Sequence, residues 1–565
     1  MPIQSLDPSA ATMNRRRFLG HAVGAAVLTG ASSTALPLVF TTPARAREAS
    51  PVVIETRLGR LRGESVEGVA SFKGVPYGAS TAGDNRFRPP VPPAAWTGER
   101  DATQFGLSAS QPAAASPVEF AWYWSKVPTS EDNLTLSVYT PGVNDGGKRP
   151  ILVWLHGGAF SIGAGTSPGF DGSHLAKAQN VVVVSINHRL NLFGSLFTGE
   201  FPEELSPASG NLSVLDQIAA LKWVRDNASA IGGDAGNVTI FGQSGGAAKV
   251  AVLLGAPAAK GLFHRAVIQS ASGAWRLATP ESAARSAHAL LAQFDLTARN
   301  AGKLREIPAD KLVAAIAQVA AKTGVADFRP TLDNLVFKQH PFDPAASALS
   351  EDIPLLIGTT ADEATFFVAG DQRNFSLGAD QVRARIKKFI GLDDAATDKL
   401  IRAYRDILPE SSPSELLIAV AGDYNYVLPT LLVADRKAAQ GKAPVYAYRF
   451  DWRSPARDGV LGSPHTAEVP FIFGTLDAAA PLIGDSPDRL NVRDRIGEIW
   501  ASFARSGRPT TKAIAEWNPY RGEERTAALI GGTWRTVDDH AKARRAAFAD
   551  IAPYEYSRPV TFTRD

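Results

Sequence analysis

Val238-Thr239-Ile240-Phe241-Gly242-Gln243-Ser244-Gly245-Gly246-Ala247-Ala248-Lys249-Val250-Ala251-Val252-Leu253-Leu254 is the stretch on which the reading of the fold turns. Its first four residues are β-branched or aromatic, as strand residues are. The run from Ala247 to Leu254, rich in alanine, valine and leucine, reads as a helix. Between them lies G-x-S-x-G, the pattern of a strand–turn–helix elbow. Its glycines leave room for a strained turn that presents a serine hydroxyl at the strand's C-terminal edge. The pattern occurs a second time, in Gly165-Thr166-Ser167-Pro168-Gly169, so it does not select a serine by itself. Ser167 has neither the strand before it nor the helix after it, and with Gly163 and Pro168 it reads as plain loop. Ser244 is therefore the candidate nucleophile, with the positive end of the following helix aimed at it.

Outward from this stretch, short apolar runs recur between helical patterns. Ile151 to Leu155, Val181 to Ile186, Ala266 to Ile268, Pro354 to Ile357 and Val445 to Phe450 read as strands, the first four buried on both faces. Between the second of these and Val238 lies a helix of roughly 214–230, with Val214, Leu215, Ile218, Leu221 and Val224 at three- and four-residue steps. Ser213 with Asp216 resembles a capping box, and Gly232-Gly233 supplies a stop. Alternating strand and helix predicts an α/β fold with a large, mainly parallel sheet covered on both faces. Val52-Val53-Ile54 and Leu58 to Arg62 predict a small hairpin at the sheet edge. Two mostly helical stretches, about 275–330 and 370–440, read as insertions over the sheet, because no linker-like composition sets them apart.

A serine hydroxyl needs a base, and behind such an elbow the acid and the histidine follow later in the chain. His264, His288, His340, His465 and His540 qualify by order. His264 precedes a strand and reads as a structural hydrogen-bonder; His288 lies in an alanine-rich helix. His465, in Gly462-Ser463-Pro464-His465, follows a late strand, which suits a base delivered by a loop, although a plain surface histidine fits the same context. A developing oxyanion needs backbone N–H donors on small residues. His156-Gly157-Gly158-Ala159-Phe160, directly after the strand ending at Leu155, has that composition.

The chain has 565 residues, 45% hydrophobic and 20% charged, ordinary values for a soluble globular protein. Asn14-Arg15-Arg16-Arg17-Phe18-Leu19-Gly20 reads as a twin-arginine export motif. A mildly apolar stretch to Phe40 and an A-x-A site, Ala44-Arg45-Ala46, follow it. Residues 1–46 are thus expected to be a signal peptide, leaving 47–565 as the catalytic domain in the periplasm or outside the cell. Gly24, Gly30, Ser32, Ser33, Thr34 and Pro37 make the stretch too polar for a comfortable membrane anchor. Met1 and Met13 are the only methionines, so either could start the chain. Removing the leader's four arginines and one aspartate from totals of 59 and 56 leaves 55 basic and 55 acidic residues. That balance points to neither nucleic acid nor an anionic membrane as partner. Cysteine is absent, which excludes a thiol nucleophile, a zinc–thiolate site and disulfides.

Taken together, these residues closely resemble the type-B carboxylesterase family of α/β-hydrolases, which includes the para-nitrobenzyl esterases and cholinesterases. The resemblance is carried by Phe72 to Tyr77, Phe87 to Pro90, Ser130 to Leu134, His156 to Phe160, Asn187 to Leu190, Asp216-Gln217 with Trp223-Val224, and Gly232 to Asp234. It continues through Gly242 to Gly246, Gly261 to Arg265, Gly358 to Glu363 and Gly462 to Gly474. It implies an α/β-hydrolase fold and hydrolysis of a small-molecule ester without cofactor or metal. It further implies Ser244 as nucleophile, His465 as base and Glu363 as the acid orienting it. Without it, Glu363 is not distinguishable from Asp362 or Asp333. The oxyanion donors it implies are the N–H groups of Gly158, Ala159 and Gly245.

The sequence departs from the family's habit in three places. Gln243 stands where a glutamate commonly precedes the nucleophile, removing a negative charge and favouring neutral esters over cationic ones. Asn133 stands at a usual cysteine, so the loop near Ala109-Ser110-Gln111 is expected to be looser. Gly245 and Ala159 replace a usual alanine and glycine, and both keep the backbone N–H. Two alternatives stay open: the same machinery acting on amides, carbamates, thioesters or lipid esters, and a non-catalytic interaction protein on the same fold. Trp122, Tyr123, Trp124, Phe160, Trp275, Phe366 and Phe367 are candidates for an aromatic gorge, each also at home in an ordinary core.

Overall fold

Among the described residues fifteen strands organise the chain, with the apolar run 151–155 near the centre of the main sheet. They are β1 (Ser50–Thr56), β2 (Gly59–Val66), β3 (Val69–Pro76), β4 (Glu99–Asp101), β5 (Ser108–Ala109), β6 (Thr129–Ser130), β7 (Thr135–Thr140) and β8 (Arg149–Leu155). After them come β9 (Val182–Ile186), β10 (Gly233–Gln243), β11 (Arg265–Gln269), β12 (Leu355–Thr360), β13 (Val445–Phe450), β14 (Ala527–Ile530) and β15 (Arg535–Val537). This computed structural model describes residues 49–201, 205–556 and 561–564. The expected leader, 1–46, lies outside the described residues.

Thirteen strands form one sheet in the order β1-β2-β3-β7-β9-β8-β10-β11-β12-β13-β14-β15, with β4 beside β2. From β9 to β14 every neighbouring pair is parallel, while β1, β2, β3 and β7 add antiparallel neighbours at one edge and β15 at the other. The fold is thus an α/β-hydrolase sheet with the expected hairpin, β1–β2, at its margin. Alternation along β8 shows why the parallel strands read as unbroken apolar runs. Ile151, Val153 and Leu155 feed the core on one face, and Leu152 and Trp154 feed the other. From β8 the chain passes to β9 on one side and then to β10 on the other. A crevice therefore opens beyond the C-terminal ends of β8 and β10, where α/β sheets place their sites.

Helices occupy both stretches expected to carry them, including Pro280–Ala292 and Ala309–Thr323 in the first and Ala379–Ile390, Asp394–Ile407 and Pro413–Gly422 in the second. The helical run Pro413–Ala438 is long and apolar enough to cross a membrane, but most of it is buried against the rest of the protein, as a core helix is.

The helix expected at 214–230 spans Leu212–Asn227, and its capping box is not formed. Ser213 lies inside the first turn with its Oγ 3.3 Å from that of Ser195. Asp216 is spent instead on Arg189, accepting from Nε at 2.8 Å, Nη2 at 2.6 Å and the backbone N–H at 3.0 Å, all buried. A paired and fully hydrogen-bonded buried charge outweighs a cap worth about 1 kcal/mol, because breaking such a pair costs about 3–5 kcal/mol. The loop expected to be loose is also held. β5 pairs with β6, and the Gln111 side chain donates to Gly163 O at 2.9 Å and accepts from Gly163 N at 2.6 Å. Asn133 fills the cysteine's place by donating to Ser130 O at 3.0 Å.

Candidate active site

Four adjacent parallel strands deliver the site, one residue group per strand end. Gln243 closes β10, and Ser244 follows with φ 59° and ψ −122°. That left-handed backbone costs a residue with a Cβ about 1–2 kcal/mol. Ser244 N donates to Gln269 O at 2.9 Å, and the helix Gly245–Leu254 starts at once, which fixes the elbow. β11 ends beside it and supplies Ser270. β12 is followed by Glu363, and the long loop after β13 returns His465.

His465 and Glu363 are both about 1% exposed, with His465 Nδ1 2.5 Å from Glu363 Oε2. Glu363 Oε1 accepts from Ser270 Oγ at 2.6 Å and from Thr360 N at 2.8 Å. With its proton on Nδ1, the ring keeps a lone pair on Nε2. The other two acids are occupied elsewhere. Asp362 accepts from Ser463 N at 2.8 Å and so pins the histidine loop. Asp333 Oδ1 accepts from the N–H groups of Leu335, Val336 and Phe337 at 2.8–3.1 Å. Ser167, the rival serine, is buried with its Oγ donating to Ala164 O at 3.0 Å. His264 Nδ1 accepts from Val238 N at 3.2 Å and ties β10 to the start of β11.

Ser244, Gly245, Gly158, Ala159 and His465 all line one cavity of about 450 Å³. Gly158 (φ 87°) and Ala159 (φ 52°) both take left-handed backbone in the turn after β8. The N–H groups of Gly158, Ala159 and Gly245 donate to no carbonyl among the backbone bonds of the described residues. The two loops interlock: a Cβ on Gly245 would stand 2.3 Å from both N and Cα of Ala159. Lys249, fully buried one turn into the helix, donates from Nζ to His156 O at 2.7 Å and so braces the turn from below.

Gln243 occupies the space beneath the imidazole. Its Oε1 accepts from Tyr123 OH at 2.6 Å, and its Nε2 lies 3.0 Å from His465 Nε2. Among the described residues no hydrogen bond joins Ser244 Oγ to the ring. Tyr426 lines the same cavity with its ring 4.4 Å from that of His465, and burial pushes that phenol's pKa well up. Close beyond is Glu468, fully buried and accepting from Gln269 Nε2 at 3.0 Å. Burial, with the charge of Glu363 beside it, pushes the Glu468 carboxyl up to about 8.

Of the seven aromatics proposed for a gorge, Tyr123, Trp124, Phe366 and Phe367 line the cavity. Trp122, Phe160 and Trp275 are core residues instead. Trp122 and Tyr123 are chain neighbours on a tight 3-10 turn, Val118–Tyr123, with their rings edge-on at 5.5 Å, and the Tyr123 ring is the one that reaches the cavity. Sequence reasoning missed Tyr426, Tyr554 and Tyr556, which complete the aromatic lining.

The carboxylesterase family model matches residues 50–549. The para-nitrobenzyl esterase of Bacillus subtilis is 36% identical over 502 residues, covering 87% of this chain and 97% of that protein. The phenmedipham hydrolase of Pseudarthrobacter oxydans is 35% identical over 492 residues, 85% and 95% of the two chains. The crystal structure of the Geobacillus stearothermophilus carboxylesterase EST55 at pH 6.2 superposes with a TM-score of 0.76 at 39% identity, covering 88% of this chain and 99% of the other. With the elbow, the sheet and the site in place, these matches settle the family: the chain belongs to the carboxylesterases of the α/β-hydrolase fold and is a serine hydrolase of carboxylic esters.

Proposed function

We propose that hydrolysis runs through an acyl-enzyme on Ser244, with His465 as general base and Glu363 as the carboxylate that orients it. The observation that carries this reading is the meeting of Ser244, on its left-handed elbow, with His465 and the turn Gly158–Ala159 in one cavity. When Ser244 Oγ attacks the ester carbonyl, His465 Nε2 takes the proton, and Glu363 stabilises the imidazolium through Nδ1. The proton then passes to the leaving alkoxide as the acyl C–O bond breaks. The N–H groups of Gly158, Ala159 and Gly245 receive the oxyanion, each such donor being worth about 2.7–4 kcal/mol. Water attacks the acyl-enzyme by the same steps in reverse. Ser244→Ala is expected to abolish hydrolysis of p-nitrophenyl butanoate and labelling by a fluorophosphonate. Turnover by the variant within tenfold of the wild type would overturn the assignment.

We propose also that the preferred substrates are neutral esters. Among the described residues, those lining the cavity include no Asp, Glu, Lys or Arg, and Gln243 adds an amide where a carboxylate would add charge. Ring faces attract a cation by about 0.5–2 kcal/mol. An ion loses several kcal/mol on leaving water, so without a counter-charge the aromatic wall does not repay a charged alcohol. The kcat/KM for choline butanoate is expected to fall below that for its uncharged 3,3-dimethylbutyl counterpart; the reverse order would refute this. Export by the twin-arginine route, with cleavage after Ala46, is proposed on Arg15-Arg16 and the A-x-A site alone. Retention of an Arg15→Lys, Arg16→Lys variant in the cytoplasm, against export of the wild type, tests it.

A further inference from the structure

Past residue 549, where the family match ends, the chain turns back over the site. Tyr554 and Tyr556 line the cavity above Ser244. The turn is built in. Arg276 Nη1 donates to Tyr554 O at 3.2 Å, the Arg329 guanidinium stands 5.2 Å from the Tyr556 ring centre, and Tyr556 shares the cavity lining with Ser161 beside the oxyanion turn. Tyr554 meets Tyr424 edge-on at 5.5 Å, and its ring lies so close to Gly273 that a Cβ there would stand 2.9 Å from Cδ1.

Behind Tyr554 is a second cavity of about 210 Å³. Leu428, Leu431, Leu432, Phe548 and Ile551 make most of its wall apolar, and Tyr554 belongs to the lining of both cavities. We infer that Tyr554 is a specificity-determining residue whose ring partitions the catalytic cavity from an apolar extension and so sets the alkyl chain length of the esters accepted. The inference rests on the ester-hydrolase reading, and it assigns the length limit to a residue beyond residues 50–549, which the family model matches.

With Tyr554→Ala the two cavities join. Each methylene that enters apolar surroundings is worth about fourfold in kcat/KM, so extending a butanoate to an octanoate gains at most about two hundredfold. The readout is the kcat/KM ratio of long to short chain in two series: p-nitrophenyl octanoate over butanoate, and octyl over butyl butanoate. Tyr554→Ala is expected to raise the ratio at least fivefold in one series. Tyr554→Phe, which keeps the ring, should hold the wild-type ratio, and Leu432→Trp added to Tyr554→Ala should return it by refilling the extension. If Tyr554→Ala does not fold, Tyr554→Leu gives the same test. A folded variant whose ratio changes less than fivefold in both series overturns the inference. Failure of the ester-hydrolase reading itself would look different: the wild type would hydrolyse no member of either series.

Discussion

Glu363→Gln isolates the orienting carboxylate, because it changes charge and hydrogen-bond polarity while keeping shape. Glu363 Oε1 accepts from Ser270 Oγ and Thr360 N, and Oε2 faces His465 Nδ1. Thr360 N can only donate, so a glutamine amide places its oxygen there and turns its NH2 toward Nδ1. The flipped amide would set two buried donors against each other, at a cost of about 1–3 kcal/mol. The ring then stabilises the other tautomer, with the proton on Nε2 and the lone pair on Nδ1, and Nε2 has no lone pair left for the Ser244 proton. In a serine protease triad the equivalent change lowers kcat about 10⁴-fold, which corresponds to about 5.4 kcal/mol of transition-state stabilisation. The expected outcome is a kcat for p-nitrophenyl butanoate reduced by about that factor, with KM and the melting temperature little changed. A folded Glu363→Gln enzyme within tenfold of wild-type kcat would refute the argument and show that Gln243 and Tyr426 suffice to hold the ring.

Gly245→Ala must displace Ala159, whose N and Cα lie 2.3 Å from the new Cβ. A fall in kcat of about 10²-fold is expected from the misplaced N–H, with Ala159→Gly restoring much of it by freeing the turn; a single variant with wild-type kcat counts against the interlock. Lys249→Met leaves His156 O without its donor, so a stability loss of about 1–3 kcal/mol is expected in urea melts, with reduced kcat; unchanged values of both contradict the bracing role. Glu468 holds its proton up to about 8, against 4.5 for the free side chain. The folded state therefore binds a proton that the unfolded chain releases, and the resulting stability, on the order of 5 kcal/mol, is fully present below about pH 4.5 and lost as pH rises through 8. Glu468→Gln should flatten that decline between pH 5 and 8.5, and parallel melting curves for the two proteins would refute it.

Sequence marked the proposed reacting groups better than the walls around them, for a physical reason. Strands buried on both faces carry an unbroken apolar signal, and the reacting groups hang on the ends of such strands. The strand before Ser244, the turn after Leu155 and the loop before His465 therefore all read correctly. The acid was named by the family resemblance and not by its local sequence, because Asp362 and Glu363 are neighbours and what separates them is a partner about a hundred residues away: Ser463 N for one, His465 Nδ1 for the other. The Ser213 cap failed on the same ground, a local rule overridden by Arg189 reaching Asp216. The aromatic lining was the least legible part. Trp122 and Tyr123 sit on one tight turn with touching rings and only Tyr123 reaches the cavity, while Tyr426, Tyr554 and Tyr556 arrive from segments with no sheet periodicity to place them. Chemistry and selectivity thus rest on different kinds of information in this chain. The β10–β13 edge, with its register and paired hydrogen bonds, fixes where a proton can move. Tyr554 and Tyr556 stand outside that edge, so changes of substrate should arise there while the Ser244 elbow, with Gln243 before it, stays as it is.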